Sequence, residues 1–142
     1  MKFRPEVTAE RLTRQNEARL PGLLGLEVLE VAAGRLAARL TVRTHHLAGN
    51  GYLHAATVIA LADTCCGYGT MAHLPEGATG FTTIELKTNF LGTALEGGIH
   101  CNATPSHLGR STQVWDAVVT EETKGRTIAL FRCTQMVLWP KA

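Results

Sequence analysis

The spacing of hydrophobic and polar positions changes several times along the chain, and each change marks an element. Residues 8–20 read as a short polar helix that Thr8 can cap and that Pro21-Gly22 stops. Residues 23–31 are apolar with Glu27 and Glu30 interleaved, and Ala32-Ala33-Gly34 makes a turn. Leu36, Ala38, Leu40 and Val42 then alternate with Arg39, Thr41 and Arg43, the period of a half-buried strand. A loop over residues 45–53, with Gly49-Asn50-Gly51 at its tip, leads into residues 55–72, a helix apolar on nearly every side with one charge, Asp63. Such a helix must be wrapped by protein. Four strands follow Pro75-Glu76-Gly77. In residues 82–90, Ile84, Leu86 and Phe90 alternate with Thr83, Glu85 and Lys87. In residues 97–104, Ile99, Cys101 and Ala103 alternate with His100 and Asn102. Residues 111–120 and 127–139 are joined by the hairpin turn Glu121-Glu122-Thr123-Lys124-Gly125, and the last strand is apolar on both parities in places, as a central strand is.

This order predicts an α+β chain of one domain, residues 1–142, in which a mostly antiparallel sheet wraps a long central helix at about residues 54–72. A curved sheet covers only part of such a helix, so its remaining apolar surface predicts a homo-oligomer. Fourteen basic against twelve acidic residues give a net charge of +2, too balanced for a protein that grips nucleic acid by its phosphates. No apolar run reaches the ~18–20 residues of a membrane helix. The start, Met1-Lys2-Phe3-Arg4-Pro5-Glu6, lacks the apolar stretch of a secretory signal, so the expected location is cytoplasmic, with neither nucleic acid nor membrane as partner. Cys65, Cys66, Cys101 and Cys133 contain no C-x-x-C and read as small buried hydrophobes, and the six histidines form no metal pattern. No metal and no separate cofactor is expected.

Asp63 is the residue that composition cannot explain, because an unpaired buried carboxylate costs several kcal/mol or shifts its pKa upward. It lies roughly opposite the stripe of Val58, Leu61, Ala62 and Cys65. Either it does chemistry, or that face is solvated, or it bonds a nearby threonine or backbone group. His54 stands at the helix entrance, where the first amides lack partners and the Ala55 amide could hold an oxyanion. The plainer reading of His54 is a side chain bonding loop carbonyls. His54 and Asp63 are separated by about 13.5 Å of helix, so a site using both must combine two subunits.

At these residues the sequence resembles the hotdog-fold thioesterases, specifically the PaaI-like acyl-CoA thioesterases. The matching stretches are Asn50-Gly51-Tyr52-Leu53-His54-Ala55-Ala56, Leu61-Ala62-Asp63-Thr64, Thr83-Ile84-Glu85-Leu86-Lys87-Thr88-Asn89-Phe90-Leu91 and His107-Leu108-Gly109-Arg110-Ser111. The resemblance spans roughly residues 20–138 and implies a hotdog fold, a tetramer built as a dimer of dimers, and metal-free hydrolysis of an acyl-CoA thioester. It assigns Asp63 as nucleophile or general base, the Ala55 amide as oxyanion hole, and His54 as the group that holds the loop and polarises the carbonyl. Thr83 matches a hydroxyl near the attacking water. Gly109, Arg110 and Ser111 match the turn that contacts the CoA phosphates, the plainer reading being an ordinary hairpin with a solvated Arg. CoA enters as part of the substrate. Ala55-Ala56 stands where the family has Gly-Gly, and Ala48 stands where members often have Asn or Gln; Asn50, four residues before His54, is the substitute.

Two other functions fit the same fold: a non-catalytic acyl-CoA-binding module, and an enoyl hydratase or dehydratase using a His/Asp dyad. An enzyme with Cys65 or Cys66 as nucleophile is more remote. Phe81, Phe90, Tyr52 and Tyr68 either line an aryl pocket or belong to the core.

Overall fold

In the computed structural model, which describes residues 2–141, the chain runs through α1 (Ala9–Asn16), α2 (Leu20–Leu23), β1 (Glu27–Ala32) and β2 (Arg35–Thr41). A single 3-10 turn (Thr44–His46) leads towards α3 (Ala55–Ala72), followed by β3 (Gly80–Phe90), β4 (Gly98–Leu108), β5 (Thr112–Glu121) and β6 (Thr127–Leu138). The strands form one antiparallel sheet in the order β1-β2-β4-β5-β6-β3. It bends around α3, which touches β2, β3, β4, β5 and β6.

The helix is buried because the sheet offers it one apolar parity after another. Leu36, Ala38 and Leu40 of β2, Ile99, Cys101 and Ala103 of β4, Trp115, Ala117 and Val119 of β5, and Ala129, Phe131 and Cys133 of β6 all turn inward. Close approach needs small residues on the helix. A methyl added at Gly69 would come within 2.6 Å of the buried Trp115 ring. All four cysteines are free and buried, as small hydrophobes in this core.

Two expectations are corrected. The N-terminal helix does not run to residue 20, and Pro21-Gly22 does not stop it. The Thr8 hydroxyl caps it by accepting from the Arg11 amide at 3.2 Å, and it ends at Asn16. Pro21 instead sits in the first turn of α2, where its missing N–H costs nothing.

The second correction concerns β3. Simple alternation groups Ile84 with Leu86 and Phe90 and sets Thr83 against them. In the structure Thr83 lies opposite Gln135 and Glu85 opposite Thr134, so Ile84 is an extra, bulged residue. Beyond the bulge Leu86, Thr88 and Phe90 face Cys133, Phe131 and Ala129. Directly opposed residues share a face, so Thr83, Leu86, Thr88 and Phe90 all lie on the helix side and Ile84 is set apart. Since β3 is an edge strand, Leu86 and Phe90 stay partly open despite facing inward.

Candidate active site

The start of α3 is held by its own loop. The His46 ring is buried: its Nδ1 accepts from the Arg43 amide at 2.9 Å, and its Nε2 donates to the Leu24 carbonyl at 2.9 Å. Burial, the main cause, holds its pKa below the ordinary histidine value, in keeping with a neutral ring that has one donor and one acceptor. The His46 carbonyl accepts from the His54 amide at 3.0 Å and from the Thr57 hydroxyl at 2.8 Å. His54 is thereby placed as the N-cap of α3, and its Nδ1 accepts from the Ala56 amide at 2.9 Å. It bonds an amide of the helix end and not loop carbonyls. The exposed Ala55 amide, at the positive end of α3, has no partner among the described residues. Asn50 forms the tip of the preceding loop, its side chain accepting from the Tyr52 amide at 3.1 Å.

Asp63, more than two turns further along α3, is half-buried on the side facing β3 and β6. The Thr83 hydroxyl lies 3.1 Å from its Oδ1 and 2.9 Å from Oε1 of the fully buried Gln135. Burial pushes the Asp63 carboxyl above the usual carboxylate range, opposed by the Thr83 hydrogen bond. A half-buried carboxylate with a raised pKa, oriented by one hydroxyl, has the properties of a general base or nucleophile.

The structure thus joins Asp63 to Thr83 within one chain and leaves His54 and Ala55 more than two turns away at the N-terminal end of the same helix, with Asn50 in the loop before it. The Gly109-Arg110-Ser111 turn links β4 to β5, with the Gly109 amide donating to the Thr112 carbonyl at 2.9 Å. Arg110 is not simply solvated, because its guanidinium lies 5.0 Å from the centre of the Trp139 ring. Among the aromatic residues, Tyr52 is exposed, Phe90 partly exposed and Phe81 half-buried. Tyr68 is buried at the wall of a cavity of about 600 Å³ whose other sides include Ala9, Thr13, Asn16, Leu26 and Val28. Burial pushes its phenol up to about 12.

Two residues bearing on the site escape a reading of the sequence. Gln135 stands on the inward parity of β6 between Cys133 and Val137, so a polar residue in an apolar column was the available signal. His46 lies in a loop with no periodicity to mark it. Among the described residues, no group of three or more His, Cys, Asp or Glu side chains is placed to hold a metal ion, and no helix is long and apolar enough to cross a membrane.

Comparison with known proteins agrees with this fold. The proofreading thioesterase EntH of Klebsiella pneumoniae is 31% identical over 140 residues, covering 97% of this chain and 99% of its own. A 1,4-dihydroxy-2-naphthoyl-CoA hydrolase of Listeria monocytogenes is 29% identical over 111 residues, covering 78% of this chain and 89% of its own. The fold is that of the Escherichia coli PaaI protein from the phenylacetic acid degradation operon, with a TM-score of 0.80 at 23% identity, covering 92% of this chain and 91% of that one. Residues 50–128, from the loop before His54 into β6, match the Thioesterase superfamily. With its sheet wrapped around α3, the chain is a hotdog-fold thioester hydrolase and belongs to that superfamily.

Proposed function

We propose that the protein hydrolyses an acyl-CoA thioester, aryl or of short to medium chain, to the free acid and CoA. The observation that carries this reading is Asp63: a half-buried carboxylate with a raised pKa on an otherwise apolar helix, oriented by Thr83. As general base, Asp63 takes a proton from water while the water oxygen attacks the thioester carbonyl carbon. As nucleophile, its own oxygen attacks and water later hydrolyses the anhydride. Either way the C–S bond breaks, sulfur leaves with its electron pair, and a proton completes the CoA thiol.

The oxyanion falls to the Ala55 amide, whose donor is open at the head of α3, with His54 holding the loop and its Nε2 facing the carbonyl. Nine residues of helix separate His54 from Asp63, so these groups come from different subunits of a homodimer, two of which pair as a dimer of dimers. Asn50 supports the loop. Gly109, Arg110 and Ser111 contact the CoA phosphates, and the Arg110–Trp139 stack fixes the turn that presents them. No metal or separate cofactor takes part, and the protein works in the cytoplasm as a single domain. The naphthoyl-CoA substrate in the name of the Listeria relative supports an aryl acyl group.

The test is release of free thiol from a panel of acyl-CoAs, aryl and C4 to C12, by the wild type and Asp63→Asn. Turnover that falls by about 100-fold or more in the variant supports the reading. Equal turnover removes Asp63 from the mechanism. Binding without turnover on any substrate moves the protein to the acyl-CoA-binding modules, and a change in enoyl absorbance without thiol release moves it to the hydratases.

A further inference from the structure

Gln135 has no place in the reaction proposed above, yet it is fully buried and lies within hydrogen-bond distance of Thr83, the residue that touches Asp63. The Thr83 hydroxyl has one proton and two acceptor oxygens within reach, at 2.9 Å on Gln135 and 3.1 Å on Asp63. Turning the Gln135 amide end for end resolves this competition, since the two ends of an amide are assigned from their partners. Nε2 then donates to Thr83 Oγ1, and the hydroxyl proton is left for Asp63. The amide oxygen takes the place 3.2 Å from Cys133 Sγ, where it accepts from the thiol. Each member of the series Cys133, Gln135, Thr83 then donates to the next, and the series ends on the carboxylate.

The backbone makes the arrangement local. Gln135 and Thr83 are direct cross-strand partners, and the bulge at Ile84 follows immediately. Threonine has two substituents on Cβ, and only the rotamer with oxygen inward reaches Asp63. An apolar residue at 135 would face that oxygen with hydrocarbon and favour the methyl in its place.

We infer that Gln135 is a positioning residue: its side-chain amide fixes the Thr83 rotamer and directs the hydroxyl proton to Asp63. The inference rests on the proposed role of Asp63 for its bearing on turnover, but not for its test. The experiment is a double-mutant cycle on the full chain, with Gln135→Met, Thr83→Val and the pair. The Asp63 carboxyl is titrated by carbon-13 NMR without substrate, and the acid limb of kcat/KM is measured alongside. Loss of a hydrogen bond to the charged form raises a carboxyl pKa. Each single variant is therefore expected to move the Asp63 midpoint up by about one pH unit, and the double variant no further than Thr83→Val.

A Gln135→Met midpoint equal to wild type overturns the inference, as does a shift that adds in full to that of Thr83→Val, the pattern of a merely structural role. Should Gln135→Met fail to fold, the wild type still decides. The Gln135 side-chain amide signals must shift as Asp63 titrates, and Thr83→Val must shrink that shift; unchanged tracking overturns the inference. Asp63→Asn turnover tests the functional reading separately. Retained turnover removes the reading and leaves the titration result standing.

Discussion

Two histidines cap the two ends of α3, and they are treated in opposite ways. His73, at the C-terminal end, is buried, with Nδ1 donating to the Gly69 carbonyl at 2.8 Å and Nε2 accepting from the Gly34 amide at 2.9 Å. Its carbonyl accepts from the Gln113 amide, whose oxygen in turn accepts from the Trp115 indole. His54, at the N-terminal end, is exposed, and among the described residues it uses one ring nitrogen and stands beside an Ala55 amide without a partner. One end is closed for stability, and the other keeps donors available. Two caps of one residue type thus differ in how fully their polar groups are satisfied.

The sharpest test of this contrast lies between the caps. Asp63→Asn is expected to lower kcat by about 100- to 10,000-fold. The same substitution is expected to stabilise the fold at neutral pH. The folded pKa of Asp63 is raised above its ordinary value of 3.8, so ionisation disfavours the folded state. That cost is absent below pH 3.8 and grows as pH rises through the folded pKa. Melting curves of wild type and variant should therefore coincide at low pH and separate at neutral pH, with the variant higher. A variant less stable at pH 7 would contradict the assigned direction.

Exchanging damage between the two caps comes next. His54→Ala should lower kcat on the order of 100-fold, the scale of an oxyanion-site donor, while costing about 1 kcal/mol of stability as a lost N-cap. His73→Leu should do the reverse, costing about 2–3 kcal/mol by leaving buried groups unpaired, with kcat changed less than about twofold by chemistry alone. Urea unfolding and thiol release on both variants give the answer, and a loss of kcat at His73 as large as at His54 breaks the comparison.

The smallest effect belongs to His46. Its folded pKa is lowered below 6.5, so its neutral ring contributes stability that is complete above pH 6.5 and is lost as pH falls towards the folded value. Unfolding free energies from pH 5 to 7.5 should decline towards acid in the wild type and decline less in His46→Gln. An equal slope in both would assign the acid dependence elsewhere.

Much of this arrangement was legible beforehand because periodicity reports burial directly. Leu36, Ala38 and Leu40, then Ile99, Cys101 and Ala103, alternate in the sequence and face the core. The apolar run of residues 55–72 requires a wrapped helix, and Asp63 is the anomaly within it that points to the candidate site. Alternation, however, counts residues and not pairings. It could not register the bulge at Ile84, so Thr83 appeared on the face opposite to Leu86 and Phe90. Pro21 misled for a related reason, since proline ends one helix or opens another according to backbone context that spacing does not carry. The pairing of Thr83 with Gln135 depends on two strands far apart in the chain, and a single-strand pattern contains no cross-strand register.

That bulge also governs how β3 tolerates changes in length. In a regular strand, gaining or losing one residue inverts every later side chain and turns the core outward. At Ile84 the ladder already resumes its sense after an unpaired residue, so excising it would join Thr83 to Glu85 with both still opposite their present partners on β6. A one-residue gap in an alignment of relatives therefore belongs at this position, and aligning straight through it would assign Thr83 or Leu86 to the wrong column.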